Sequence, residues 1–145
     1  MRATKNPARI VVIDDNPADV VLLRHMLDEL NDPYELLVLK DGEEALQFVE
    51  RHRMGSAESY PCVIVLDLHL PKYDGLAVLR AIKRTPELAH IQVVILATMA
   101  SPAEEREMLR IGVRLYQAKP MNLEGLAAVA KEILDICKEP ALAAA

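Results

Sequence analysis

The sequence predicts an α/β domain built as a doubly wound parallel sheet. Short continuous runs rich in Val, Ile and Leu recur along the chain, and segments with helical spacing separate them. Continuous apolar runs of this length are expected of strands buried on both faces. The chain has 145 residues, which suits a single core. At that length about 68–70% of the unfolded chain's surface is buried on folding, so no cross-link or metal is needed to hold the fold.

Each element follows from its own residues. The strands are expected at Ile10–Ile13, Leu36–Leu39, Val63–Leu66, Val93–Leu96 and Val113–Tyr116. Val20, Leu23, Met26, Leu27 and Leu30 trace one face of a first helix. Asn16 is a good N-cap for it, Pro17 suits its first position, and Asp19 favours its positive end. Ala45, Leu46, Phe48 and Val49 mark a second helix, and Leu76, Leu79, Ile82 and Lys83 a third. Glu105–Ile111 and Leu123–Cys137 are the fourth and fifth. Strict alternation of strand and helix implies a parallel sheet covered on both faces, with right-handed crossovers. Five strands of this kind suggest the flavodoxin-like (βα)5 arrangement, order 2-1-3-4-5. Met54–Tyr60 is expected to be a mobile surface loop, and the tail from Pro140 to Ala145 to fray.

Composition narrows the function. Hydrophobic residues make up 52% and charged residues 27%, which excludes a disordered chain. The net charge of −5 offers no basic face, so nucleic acid is not an expected partner. No apolar run approaches the roughly 18–20 residues of a membrane span, and the basic start of the chain lacks a signal-peptide core. Membrane association is therefore not expected, and a cytoplasmic location is. Cys62 and Cys137 form no metal-binding pattern; each sits in an apolar stretch, and two buried free thiols are expected.

In a sheet of this type functional groups gather at the carboxyl ends of the strands. The first strand ends in Asp14-Asp15, the third in Asp67, the fourth in Ala97-Thr98 and the fifth in Lys119-Pro120. Packed carboxylates repel unless a cation neutralises them. Oxygen ligands suit Mg²⁺ or Ca²⁺, and Mg²⁺ typically takes one or two carboxylates together with waters and phosphate oxygens. Mg²⁺, a spare carboxylate and a lysine together suit phosphoryl transfer to that carboxylate. A helix start alone explains Asn16, Pro17 and Asp19, but not two acids directly after a buried strand.

These pieces resemble the response-regulator receiver domain of two-component phosphorelays. The resemblance is carried by Ile10-Val11-Val12-Ile13-Asp14-Asp15, by Asp67-Leu68-His69-Leu70-Pro71-Lys72-Tyr73-Asp74-Gly75 and by Lys119-Pro120. It covers roughly residues 8–137, leaving tails at 1–7 and 138–145 and no output domain. Asp15-Asn16-Pro17-Ala18-Asp19-Val20, Val38-Leu39-Lys40-Asp41-Gly42 and the long loop before the third strand are similar to regulators paired with phytochrome-type kinases. The resemblance implies that Asp67 accepts the phosphoryl group from a sensor histidine kinase. It implies that Asp15, Asp14, Asp67 and the backbone carbonyl of His69 hold Mg²⁺. Lys119 would pair with the acceptor and then with the phosphoryl group. Pro120 would hold the peptide before it, which in the family is often cis, and Gly75 would permit the turn after Pro71.

One position departs from the family. A Thr or Ser is expected where the fourth strand ends, and this chain has Ala97, followed by Thr98. Either a bulge hands the role to Thr98, or the hydroxyl that couples phosphorylation to the aromatic switch, Tyr116, is missing. On the fifth helix, Val129 and Ile136 lie outside the stripe Leu123, Leu126, Ala127, Ala130, Ile133, Leu134 and Cys137. They suggest a homodimer through that helix, in line with the family's habit of pairing there, with a broader buried face under the tail as the alternative. Two other readings stay open: an aspartate-nucleophile phosphatase, whose expected second acid is replaced by His69, and a pseudo-receiver that only binds partners. A flavin-binding protein is disfavoured, because the acids after the first strand would repel a phosphate.

Overall fold

A computed structural model describes residues 7–70 and 74–139. Five strands, β1 (Ala8–Ile13), β2 (Tyr34–Leu39), β3 (Val63–Asp67), β4 (Gln92–Ala97) and β5 (Leu115–Ala118), alternate with five helices. The helices are α1 (Pro17–Glu29), α2 (Gly42–Arg53), α3 (Gly75–Arg84), α4 (Pro102–Ile111) and α5 (Leu123–Lys138). The strands form one parallel sheet in the order 2-1-3-4-5. This is the flavodoxin-like arrangement expected from the alternation.

Successive strand residues point to opposite faces and so feed two cores. Val11, Ile13, Ile64, Leu66, Val93, Ile95 and Ala97 pack with Phe48, Val78, Leu79, Ile82 and Met108 of α2, α3 and α4. Ile10, Val12, Val63, Val65, Val94 and Leu96 pack with α1 and α5. β1, β3 and β4 are central and mostly buried on both faces, whereas edge strand β2 exposes Glu35 and Leu37. Burial of every apolar run on both faces therefore holds only for the inner strands.

Caps set the helix boundaries. Asn16 Oδ1 accepts from Ala18 N at 3.0 Å, ahead of Pro17. At the end of α4, Gly112 adopts φ 107°, donates to Leu109 O, and lets Val113 N reach Met108 O at 3.2 Å. This pair of hydrogen bonds around a left-handed glycine closes the helix and turns Val113 back towards Met108. Val113 is thus spent on the cap, and β5 begins at Leu115, two residues later than its apolar run suggests. The loop after α2 is tied down by an Arg51 to Glu58 ion pair at 2.5 Å.

Two expectations fail here. Val129 and Ile136 of α5 are 2% and 4% exposed, packed into the core beneath α1 and α5, while Leu123 of the expected inner stripe is exposed. The helix lies rotated relative to the face read from its sequence, so these two residues offer nothing to a second copy. Cys62 and Cys137 are not free thiols. They form a disulfide, with Cα atoms 5.2 Å apart and 75 residues of separation in sequence. It joins the start of β3 to the last turn of α5, at the amino-terminal end of the strands, away from Asp14 and Asp67. No local spacing signals such a pairing, because only the fold brings the two segments together.

Closing a loop of this length restrains the unfolded chain by about 4 kcal/mol in the chain-entropy account. Reduction, or Cys137→Ser, is expected to lower the stability measured by urea denaturation by about 2–4 kcal/mol. Alkylation of the unfolded, unreduced protein followed by mass measurement should find no modified cysteine.

Candidate functional site

The carboxyl ends of β1, β3 and β5 emerge at the same end of the sheet, β1 next to β3 and β5 one strand further on, beyond β4. Asp14 follows β1, Asp67 ends β3, and Lys119 follows β5. Asp14 N donates to Leu39 O at 3.1 Å and Lys119 N to Ala97 O at 2.8 Å, so each residue is held by its neighbouring strand. The second oxygens are fixed as well: Asp14 Oδ1 accepts from Asn16 N at 2.8 Å, and Asp67 Oδ1 from His69 N at 3.0 Å.

Lys119 Nζ donates to Asp67 Oδ2 at 3.1 Å and to Asp14 Oδ2 at 3.3 Å. It also donates to Asp19 Oδ2, at 2.7 Å. In the sequence Asp19 reads as a charge favouring the positive end of α1 and as one residue of the Asp15–Val20 run. Its place opposite Lys119 depends on how α1 packs over the strand ends, although its position one turn beyond Asp15 was a usable clue. Burial opposes charge on Lys119, but the bond to Asp19 and the charges of Asp14 and Asp67 outweigh it and raise its pKa. Asp14 is buried and its carboxyl is pushed up chiefly by desolvation, with Lys119 and the Asn16 amide pulling the other way.

Asp14, Asp15 and Asp67 each bring a carboxylate oxygen within 4.8 Å of the other two. One ammonium cannot neutralise these acids together with Asp19. A divalent cation fits this donor set by charge and by ligand type. The side chain of His69 is exposed, and its backbone N–H is the group that reaches Asp67. A cavity of about 610 Å³ opens beside Cys62 and Cys137 and is lined by Arg9, Asp32, Tyr60 and Lys138. It lacks converging carboxylates, and the chemistry lies at the opposite end of the strands.

The loop after Asp67 returns through Gly75, whose N donates to Leu68 O at 3.2 Å. A Cβ at Gly75 would stand 2.3 Å from that oxygen. Glycine is required here for close backbone approach, not for the turn itself. Residues 71–73, Pro71 among them, lie outside the described residues. The peptide before Pro120 is trans, in contrast to the expectation of a cis bond.

β4 pairs regularly to its end, with Ala97 opposite Ala118. No bulge moves Thr98 into the site; Thr98 is exposed and Ala97 is buried. Tyr116 is buried on the same face as Ala97. Its hydroxyl donates to Glu104 and accepts from Ser101 N at 3.1 Å. Burial and the Glu104 carboxylate both raise its pKa.

The profile of the response regulator receiver domain matches residues 10–131. The chain is 35% identical over 129 residues to the probable methanogenesis regulatory protein FilR2 of Methanothrix harundinacea, spanning 89% of this chain and 83% of that protein. It is 33% identical over 127 residues to the response regulator Rcp1 of Synechocystis sp., spanning 87% and 86% respectively. The Mn²⁺-bound form of Rcp1 superposes with a TM-score of 0.77 at 33% identity, covering 88% of this chain and 91% of that one. The phosphorylated cyanobacterial phytochrome response regulator RcpA superposes with a TM-score of 0.81 at 32% identity, covering 92% and 96%. With the matched residues spanning both acidic strand ends and the lysine, the chain belongs to the response-regulator receiver-domain family.

Proposed function

We propose that Asp67 accepts a phosphoryl group from a sensor histidine kinase, with Mg²⁺ bound by Asp14, Asp15, Asp67 and the backbone carbonyl of His69. The observation that carries this reading is the Asp67 carboxylate held 3.1 Å from Lys119 beside two further acids. Asp67 Oδ attacks phosphorus as the P–N bond of the kinase's phosphohistidine breaks, the imidazole leaves with its electron pair, and an acyl phosphate results. Lys119 stabilises the charge of the transferring group, and its fixed position costs no reorganisation during the reaction. The cation would supply further charge neutralisation at the same oxygens. Receiver domains act in signalling with histidine kinases; likeness to Rcp1 and RcpA supports a phytochrome-type kinase as the donor here. We take the protein to act as a cytoplasmic switch, residues 8–137 forming the receiver. The homodimer through α5 keeps only the family resemblance as support, since Val129 and Ile136 are buried.

Incubation with acetyl phosphate and Mg²⁺ should add one phosphoryl group per chain, mapped to Asp67 by mass spectrometry. Asp67→Asn should abolish the label, and equal labelling of that variant would refute the assignment.

Asp14 links the metal to pH. Its raised pKa means that burial of the charged form opposes folding once pH rises through the folded value, and that this penalty is absent below the ordinary carboxylate range. A bound cation removes the penalty but needs the carboxylate deprotonated. Mg²⁺ is therefore expected to raise Tm at pH 7 and progressively less towards pH 4.5. Asp14→Asn should make the gain at pH 7 smaller, as followed by thermal denaturation.

Tyr116 is already held inward by Glu104 and Ser101, and Ala97 offers no hydroxyl to a phosphoryl group. Phosphorylation is expected to move Tyr116 little. Ala97→Thr adds a hydrogen bond to a charged group, worth about 1.5–3 kcal/mol, and should enlarge the phosphorylation-dependent NMR shifts around Tyr116. Loss of the wild-type response in Thr98→Ala would instead give the role to Thr98.

A further inference from the structure

Lys119 has three N–H donors, and three carboxylates face them. The shortest contact is not to the acceptor: Asp19 lies at 2.7 Å, Asp67 at 3.1 Å and Asp14 at 3.3 Å. The side chains of Asp14 and Asp67 are 8% and 4% exposed, and each has its second oxygen held by a backbone N–H. Asp19 differs. Its side chain is 37% exposed, and among the described residues no second hydrogen bond fixes it. It sits in the first turn of α1, where the capped helix end favours a negative charge. Asp19 is thus the one partner that Lys119 can release into water at small cost.

We propose that Asp19 is a positioning residue that draws Lys119 towards α1 and restrains the uptake of the phosphoryl group at Asp67. The inference rests on Asp67 being the acceptor. A phosphoryl group brings charge of about −1.5 to −2 and needs an N–H of Lys119. All three are engaged in the resting site, so the incoming group competes with Asp19 for one of them. Asp19 also adds a further negative charge facing an anionic donor, which acts in the same direction. In the reaction with acetyl phosphate, the donor's P–O bond breaks and acetate leaves with its electron pair. Asp67 Oδ forms the new bond to phosphorus while Lys119 turns from Asp19 to a phosphoryl oxygen.

Asp19→Asn keeps an acceptor oxygen and removes the charge. At saturating Mg²⁺ it is expected to raise the rate of phosphorylation by acetyl phosphate about five-fold, the difference between a charge-assisted and a neutral hydrogen bond. Asp19→Glu, which restores the charge, should return the rate towards wild type. The gain from Asp19→Asn should shrink to less than two-fold in a Lys119→Ala background, since the effect runs through the ammonium. An unchanged or slower rate in Asp19→Asn would overturn the proposal, as would an equal gain without Lys119, which would reduce Asp19 to a field effect. Failure of the wild type to take label at Asp67 would instead remove the acceptor reading and this inference together, so the two failures are distinct.

Discussion

One ammonium group shared among three carboxylates organises the working edge of this protein. Asp14 and Asp67 are nearly inaccessible to water, and ionised carboxylates in that setting are costly unless they are paired and hydrogen-bonded. Lys119 supplies the pairing, and the amides of Asn16 and His69 supply the bonds. Each of those amides belongs to the chain just beyond a strand, so the local backbone and the central charge hold each other in place. The acids at this edge still outnumber the single ammonium, and a divalent cation fits the donor set that Asp14, Asp15 and Asp67 offer.

The fold exists in a form that makes this edge possible. A parallel sheet with crossover helices sends every strand in the same direction, so all carboxyl ends emerge together. The order 2-1-3-4-5 puts β1 beside β3, and residues more than fifty apart in sequence become neighbours. The stiffness of this arrangement comes from two cores, one on each face, that grip β1, β3 and β4 from both sides. At the other end of the strands the disulfide fastens α5 to the start of β3. α5 packs against α1, and Leu126 and Pro120 border the acidic site along with Leu22 and Leu23 of α1. The cross-link therefore steadies, from a distance, the two helices that flank the site.

Signalling needs two states with different affinities, and the side facing α4 holds the buried Tyr116 and Ala97. Tyr116 joins β5 to the start of α4 through Ser101 and Glu104. The small side chain of Ala97 lies on the same face and provides no polar link from that tyrosine to the acidic edge. The inward tyrosine is thus stabilised by α4 itself rather than by a group at the strand end.

Much of the fold was legible from local patterns. Apolar runs marked the three inner strands, Asn16-Pro17 marked the start of α1, and the acids at the strand ends with Lys119 marked the site. These features depend on short-range periodicity, capping and the direction of parallel strands, which neighbouring residues determine among themselves. Other features were decided only by tertiary packing. The pairing of Cys62 with Cys137 spans 75 residues, and thiols carry no local signal of a distant partner. The rotation of α5 that buries Val129 and Ile136 follows from its packing on α1 and the sheet, where an alanine-rich helix admits more than one apolar face. Val113 had the composition of a strand, but Gly112 assigned it to the cap of α4. Asp19 looked like an ordinary helix-end charge until the placement of α1 brought it to Lys119. Apart from the Gly112 cap, which is local, the deciding contact joins segments far apart in the chain, and its energy is set by geometry that no local stretch of residues contains.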